Sequence, residues 1–153
     1  MIRFPEALLD QVRRHAERTY PNEACGLIVG RNRDGAAVEV TRIEASRNLA
    51  AEPARSFEID FGQRLALQRL LRGSGEEIVG LYHSHPDGSA RPSAADLERA
   101  WEEGLVWVIV AVAAGRAEAV TAHRLVEVRT RFEEISLRTG TGPLGSGGNE
   151  EGP

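Results

Sequence analysis

Two histidines that directly follow a short apolar strand limit the possible folds of this chain more than any other sequence feature. Residues 78–82 form a compact apolar segment typical of a buried strand, and it is followed by His83, Ser84, His85 and Pro86. Because successive side chains of an extended strand point to opposite faces, both imidazoles project to the same side. Ser84 points to the other face, where we expect a structural role. Proline cannot donate to a strand ladder, so the histidines lie at the end of the strand.

A carboxylate occurs at the start of the next predicted helix. A loop rich in Gly, Ser and Pro, residues 87–92, leads to Ser93, which opens a third helix. This loop is long enough to bring Asp96 back over the end of the strand that carries His83 and His85. Three protein ligands of the types His, His and Asp are the number expected of a catalytic zinc, which keeps its fourth position for water.

Structural explanations of the same residues remain open at this point. Two histidines at this spacing also occur by chance, without a metal. Ser93 followed three residues later by Asp96 has the form of a helix N-cap with an acid at N3. The two interpretations are compatible, because Ser93 can cap the helix while Asp96 binds an ion.

The remaining apolar patterns predict two more helices and a set of strands around one core. Helix one begins with Pro5 at N1 and ends before Tyr20. Helix two has its apolar positions between Leu65 and Leu71 and ends at Gly73. The predicted strands are residues 24–30, 37–44, 56–59, 78–82, 105–113, 117–126 and 131–137, with a hairpin turn at 31–35 and a charged turn near Arg129. Hairpins mixed with strand-helix-strand crossovers predict an α/β fold of the α+β-like kind, with a mixed, twisted, largely antiparallel sheet flanked by helices.

Size and composition narrow the classes of protein further. The 153 residues suit one domain, which we place at residues 1–138, followed by a flexible Gly-rich tail at 139–153. A net charge of −4 with scattered arginines argues against a nucleic-acid partner. No apolar run is long enough for a membrane span and no secretory signal is visible, so we expect a cytoplasmic protein. Cys25 is the single cysteine, which excludes an internal disulfide, and we predict that it is a small buried apolar residue.

Taken together, these motifs resemble the JAMM (MPN-plus) metalloprotease family in its compact prokaryotic form. The resemblance rests on the two histidines, the seven-residue spacing to Ser93-x-x-Asp96, and an upstream Glu23 in a Glu-x-x-Gly context. It implies a JAMM/cytidine-deaminase-like fold and one zinc per chain with a bound catalytic water, held by His83, His85 and Asp96. It also implies Glu23 as the general acid/base and Ser93 as the group that stabilises the oxyanion.

The resemblance also implies a substrate class. Related JAMM enzymes act on peptide or isopeptide bonds at the C-terminal glycines of ubiquitin-like proteins. We therefore expect a zinc-dependent peptidase or isopeptidase that hydrolyses the bond after the C-terminal Gly-Gly of a small ubiquitin-like or β-grasp sulfur carrier protein. Arg55, Phe57 and Asp60 lie in the stretch that flanks the substrate groove in this family, and they are weaker substrate-binding candidates. The carrier, the choice between peptide and isopeptide bonds and the formation of a homodimer stay open.

Two other classes of function compete with this interpretation. A non-catalytic MPN-type interaction module would keep the fold, but the intact Glu23 favours an enzyme. A zinc nucleoside deaminase is disfavoured because the P-C-x-x-C half of its signature is absent. We expect structural roles for the remaining candidates, which are the isolated histidines His15 and His123 and the core tryptophans Trp101 and Trp107. The tail pair Gly147 and Gly148 is more typical of a linker than of a substrate mimic.

Overall fold

The described parts of the chain contain eight strands and three helices. The computed structural model describes residues 1–33, 37–100, 102, 104–127 and 131–140. The elements are, in chain order, β1 (Ile2–Arg3), α1 (Glu6–Thr19), β2 (Cys25–Arg33), β3 (Ala37–Ser46), α2 (Phe61–Leu71), β4 (Glu77–His85), α3 (Ala94–Arg99), β5 (Val106–Ala113), β6 (Arg116–Glu127), β7 (Arg131–Ile135) and β8 (Leu137–Arg138). None of these helices is both long enough and apolar enough to cross a membrane.

The strands form one mixed sheet that closes on itself. Their order is β7-β6-β5-β4-β2-β3-β1-β8. Four of the pairings are antiparallel, and β4 with β5, β1 with β3 and β1 with β8 are parallel. The two end strands, β7 and β8, are separated in the chain by Ser136 alone, whose carbonyl accepts a hydrogen bond from Ile2 N at 2.9 Å. Both ends of the sheet therefore belong to one continuous chain segment, and the twist of the sheet brings them together.

Helix α1 covers one face of this sheet and forms the main core with it. Its buried residues, Leu9, Val12 and Ala16, follow the helical period. They pack in one cluster with Ile28 of β2 and with alternate residues of β5, Val106 to Val112. A fully apolar strand such as β5 is expected where both faces of a sheet are covered.

Helices α2 and α3 cover the opposite face, which also carries the histidines. Leu67 and Leu71 of α2 pack on Leu27 and Val29 of β2. Next to them, a second cluster joins Cys25, Phe57, Leu81, Ala100, Trp107 and Leu125. Because Leu81 lies on this face, the period of two residues along β4 places His83 and His85 on it as well.

Most predicted elements are present, and the predicted α+β-like fold with a mixed, largely antiparallel sheet flanked by helices is confirmed. Pro5 is the N-cap of α1 and not its first helical residue, and α2 begins at Phe61, where Asp60 caps it. The terminal strand β1 was not predicted, and the predicted strand at 131–137 is divided at Ser136. Parts of several predictions lie outside the described residues, namely Asp34 and Gly35 of the hairpin turn, Trp101, Arg129 and residues 141–153. The division into a domain at 1–138 and a tail stays a prediction.

The predicted strand at 56–59 is wrong. This segment forms a loop, and its one ladder contact is an isolated bridge between Ile59 and Asn48. The Asn48 side chain explains why: its Oδ1 accepts hydrogen bonds from Ala50 N and Glu58 N, and its Nδ2 donates to Ser56 O, all at 3.0 Å. These side-chain bonds satisfy backbone groups that a strand would have paired with a neighbouring strand.

The close contact between β4 and β5 leads to a stability prediction. A Cβ atom at Gly80 would lie 2.3 Å from the backbone oxygen of Val106, which cannot move without disturbing the ladder. We expect Gly80→Ala to lower the free energy of unfolding by about 2 kcal/mol or more, as measured by urea denaturation. Gly62→Ala in α2 is the control, with an expected change within about 1 kcal/mol. A Gly80→Ala protein as stable as wild type would contradict the described packing of β4 on β5.

Candidate metal centre

Three potential ligand atoms meet at the end of β4. His83 Nε2 lies 2.9 Å from His85 Nε2, and Asp96 Oδ2 lies 3.1 Å from the first and 3.0 Å from the second. All three side chains are buried. Ligand atoms about 2.0–2.1 Å from a tetrahedral zinc stand about 3.3 Å apart, so the observed triangle is close to one face of such a tetrahedron. The predicted grouping of these residues is present.

Local hydrogen bonds fix the orientation of two of these side chains. His85 Nδ1 lies 3.1 Å from Ser89 O, and because a carbonyl can only accept, Nδ1 carries the proton and Nε2 is free to bind a metal. Asp96 Oδ2 accepts a hydrogen bond from Ser93 N at 2.9 Å, and Ser93 Oγ accepts one from Asp96 N at 3.0 Å. This is a complete capping box for α3. The helix cap and the ligand position therefore occur together.

Aromatic packing holds the ring of His83. Phe57 stacks on it with ring centroids 4.3 Å apart, and Trp107 contacts it edge-on at 5.7 Å. His83 Nδ1 is buried and has no hydrogen-bond partner among the described residues. The position of this imidazole therefore depends on its apolar neighbours, in contrast to that of His85.

Glu23 faces the same site because of the register between β2 and β4. Cys25 pairs with His83, so continuing this antiparallel register by two residues places Glu23 beside His85. Ligand atoms of Glu23, His83 and His85 all lie within 4.8 Å of one another. The backbone of Glu23 is held by the 47–60 loop: Glu23 N donates to Pro53 O at 2.7 Å, and Asn48 Nδ2 donates to Glu23 O at 3.0 Å. Glu23 Oε1 is buried without a hydrogen-bond partner among the described residues and is free to take a proton.

The charge states of these groups suit metal binding and proton transfer. Burial acts to raise the pKa of Asp96, but the adjacent imidazoles of His83 and His85 outweigh it and hold the pKa well below its ordinary value. Burial lowers the pKa of His83, which favours the neutral imidazole that binds metals. Burial also raises the pKa of Glu23 to about 7, against the opposing influence of His85. A carboxyl group with a pKa near neutrality can both accept and return a proton.

Two cavities flank the site. The smaller has a volume of about 310 Å³, and its lining includes Glu23, Arg55, His85 and Ser93. The larger, of about 550 Å³, lies between the 57–61 segment, α2 and α3, and its lining includes Phe57. Of the weaker candidates, Arg55 thus lies beside Glu23, and Phe57 borders the larger groove while stacking on His83. Asp60 Oδ1 accepts hydrogen bonds from Gly62 N and Gln63 N and caps α2.

The residues that we expected to be structural have structural surroundings. Cys25 is fully buried, and burial raises the pKa of its thiol to about 12, so it is a poor ligand and nucleophile. His15 Nδ1 lies 2.8 Å from the Tyr82 hydroxyl, and His123 Nε2 lies 2.8 Å from Thr121 Oγ1. Trp107 is buried in the second core cluster, as predicted.

Three residues that surround the site were not identified from the sequence. Asn48 holds the backbone of Glu23, Arg91 lines the smaller cavity, and Arg99 Nη1 donates to Phe57 O at 2.6 Å. Only Arg91 carried a usable signal, since it lies two residues before Ser93 in the loop that connects the predicted ligands. The roles of Asn48 and Arg99 depend on contacts with distant parts of the chain.

The fold and site can be compared with known proteins. The family described as "Prokaryotic homologs of the JAB domain" matches residues 5–126. Desampylase of Haloferax volcanii is 36% identical over 132 residues, which are 86% of this chain and 88% of that protein. The CysO-cysteine peptidase of Mycobacterium bovis is 27% identical over 126 residues, which are 80% of this chain and 82% of that protein.

Solved structures agree with this assignment. The solution structure of protein DSY2949 from Desulfitobacterium hafniense has a TM-score of 0.77 and 30% identity, covering 90% of this chain and 91% of its own. The crystal structure of AF2198, a JAB1/MPN domain protein from Archaeoglobus fulgidus, has a TM-score of 0.52 at 22% identity and covers 90% and 95%. The second comparison concerns the fold alone.

Proposed function

Since this chain belongs to the family of prokaryotic homologs of the JAB domain, we propose that it is a zinc peptidase acting on carrier-protein tails. The reaction is hydrolysis of the peptide or isopeptide bond after the C-terminal Gly-Gly of a small ubiquitin-like or sulfur carrier protein. The two curated relatives described above are named a desampylase and a CysO-cysteine peptidase, and these names support the assignment to a peptidase.

One observation carries the proposal: the buried Glu23 lies beside the His83, His85 and Asp96 triangle. Ligand atoms of Glu23 and of the two histidines lie within 4.8 Å of one another. Two imidazole nitrogens and one carboxylate oxygen are a donor set that suits zinc and leaves one position open. In this assignment Glu23 does not bind the ion, and its unpaired Oε1 is available for proton transfer.

In this reaction each residue of the site has a separate role. His83, His85 and Asp96 would hold a zinc ion, which would supply Lewis-acid polarisation and lower the pKa of water towards about 7. Glu23 accepts the proton of the water that attacks the glycine carbonyl, and it later delivers that proton to the departing amine nitrogen. The Ser93 hydroxyl donates a hydrogen bond to the oxygen that becomes negative, while its lone pair continues to accept from Asp96 N. The products are a carrier ending in a glycine carboxylate and a free amine.

Cleavage of extended carriers tests this proposal. The zinc-loaded protein is incubated with several β-grasp carriers that continue beyond Gly-Gly, and the products are identified by intact mass. We expect at least one carrier to be shortened to its Gly-Gly terminus and the activity to disappear after chelation. If no carrier in a broad set is cleaved by zinc-loaded protein, the proposed function is wrong.

A substitution at Ser93 separates its two proposed tasks. We expect Ser93→Ala to lower kcat by roughly 10²–10³, as for other oxyanion donors, and to destabilise the protein by about 1 kcal/mol through loss of the N-cap. Ser93→Gly should lower kcat by a similar factor. Its stability loss should be only a few tenths of a kcal/mol, because glycine is tolerated at N-caps. Steady-state kinetics together with thermal unfolding measure both effects. Full activity in either variant would remove Ser93 from the mechanism.

A further inference from the structure

The smaller cavity beside Glu23 contains two arginines from different loops. Arg55 belongs to the 47–60 loop, and Arg91 belongs to the loop between β4 and α3. The same cavity is lined by Glu23 and Ser93, so it contains both groups that act on the reacting bond in the proposed mechanism. A group attached to the reacting nitrogen on this side would enter the cavity that both arginines line.

Both guanidinium groups are free to bind a ligand. Neither Arg55 nor Arg91 makes a side-chain hydrogen bond or an ion pair with another described residue. The arginines of the larger groove differ, because Arg64 pairs with Glu102 through two bonds of 2.7 Å and Arg99 donates to Phe57 O. Two unpaired cations in one small cavity thus distinguish this side of the site from the other.

Two carboxylates of the protein line the same cavity: Glu23, which acts on the reacting bond, and Asp87. Asp87 Oδ1 accepts a hydrogen bond from Ser89 N at 2.9 Å, which stabilises the turn after β4. Asp87 lies more than 4.0 Å from any described arginine nitrogen and does not neutralise Arg55 or Arg91. The cavity therefore retains donors for an external carboxylate.

The mechanism indicates which part of the substrate enters this cavity. Glu23 delivers a proton to the departing nitrogen, so this nitrogen lies within hydrogen-bond reach of Glu23, and the rest of the leaving group extends beside it. The cavity volume of about 310 Å³ is at the lower end of the range of ligand-pocket volumes. It suits an amino acid rather than a folded partner. A leaving amino acid ends in a free α-carboxylate, whereas a lysine side chain in an isopeptide carries none at that place.

We propose that Arg55 and Arg91 bind the α-carboxylate of a leaving amino acid and thereby make the protein prefer carriers extended by one C-terminal residue over isopeptide conjugates. Guanidinium groups match carboxylates in geometry and charge, and such charge-assisted hydrogen bonds are stronger than neutral ones. This inference rests on the proposed function and adds to it the identity of the leaving group.

Matched substrates test the inference. Three β-grasp carriers extended by a single alanine after Gly-Gly are made with a free C-terminal carboxylate and as the neutral carboxamide, which has nearly the same size. We expect the wild-type protein to show a kcat/KM roughly tenfold or more higher for the acid than for the amide. In the double variant Arg55→Gln/Arg91→Gln the preference should disappear, so that the ratio of kcat/KM for the acid to kcat/KM for the amide falls to about one.

The controls distinguish failure of the inference from failure of the proposed function. Measurable hydrolysis of the amide, together with a thermal unfolding midpoint close to that of wild type, shows that the double variant is folded and catalytically competent. Arg14→Gln, which removes an exposed arginine of α1, should keep the wild-type preference for the acid. Equal wild-type rates on acid and amide, or an undiminished preference in the double variant, would overturn the inference while the peptidase assignment stands. Cleavage of neither substrate by the zinc-loaded wild type would overturn both.

Discussion

Replacing Glu23 by glutamine is expected to abolish turnover without loss of the metal. The glutamine side chain has the same size but cannot accept the proton of the attacking water. Because general acid/base groups contribute about 10²–10⁴ to rates, and Glu23 serves in both proton transfers, we expect kcat to fall by roughly 10³ or more. Zinc content, measured by elemental analysis, should stay at that of wild type, since the proposed ligands His83, His85 and Asp96 are intact.

The same variant distinguishes an enzyme from an interaction module. Burial raises the pKa of Glu23 to about 7, because the ionised carboxylate is unfavourable in the folded protein. A neutral amide at this position does not carry that cost. Glu23→Gln should therefore be as stable as wild type or more stable. A variant that retains wild-type cleavage would remove Glu23 from the mechanism, and a binding activity that survives unchanged would favour the non-catalytic module.

The second large effect is expected from loss of a proposed ligand. His85→Ala removes one corner of the triangle whose sides measure 2.9–3.1 Å, leaving two donors. Loss of outer-shell partners alone weakens metal sites by about 10–100-fold, so we expect zinc affinity to fall by more than about 100-fold and cleavage to be lost at limiting zinc. Competition with a chromogenic chelator measures the affinity.

A matched histidine provides the control for that experiment. His15 is half-buried, and it too has a side-chain partner, but that partner is the Tyr82 hydroxyl on the α1 face of the sheet. His15→Ala should bind zinc as tightly as wild type. If His85→Ala keeps its zinc while His15→Ala loses it, the metal site has been placed on the wrong face of β4.

The site was predictable from the sequence where local rules determine it. The period of two along β4 puts His83 and His85 on one face, and the Ser93 capping box fixes the start of α3 beside them. Both features depend on a few neighbouring residues. The meeting of Asp96 with the histidines, in contrast, depends on how the 86–92 loop folds. The length of this loop showed that the meeting was possible, and the family resemblance supported it.

Features set by distant contacts were not predictable. The stacking of Phe57 on His83 needs the 47–60 loop to close over the sheet, and that closure depends on the hydrogen bonds of Asn48. The sequence at 56–59 has strand-like residues, but no strand forms because Asn48 satisfies the local backbone groups. Closure of the sheet through Ser136 was likewise missed, because two-residue strands such as β1 and β8 leave almost no periodic signal.

The most direct test of the whole account is the mass of a cleaved carrier produced in heavy-oxygen water. A β-grasp carrier extended beyond Gly-Gly is treated with zinc-loaded wild-type protein, and the intact mass of the shortened carrier is measured. Hydrolysis assisted by Glu23 predicts a carrier that ends at the second glycine and contains one heavy-oxygen atom from the solvent, with no product from Glu23→Gln. An uncut carrier, a cut at another bond or a product without solvent oxygen would contradict the account.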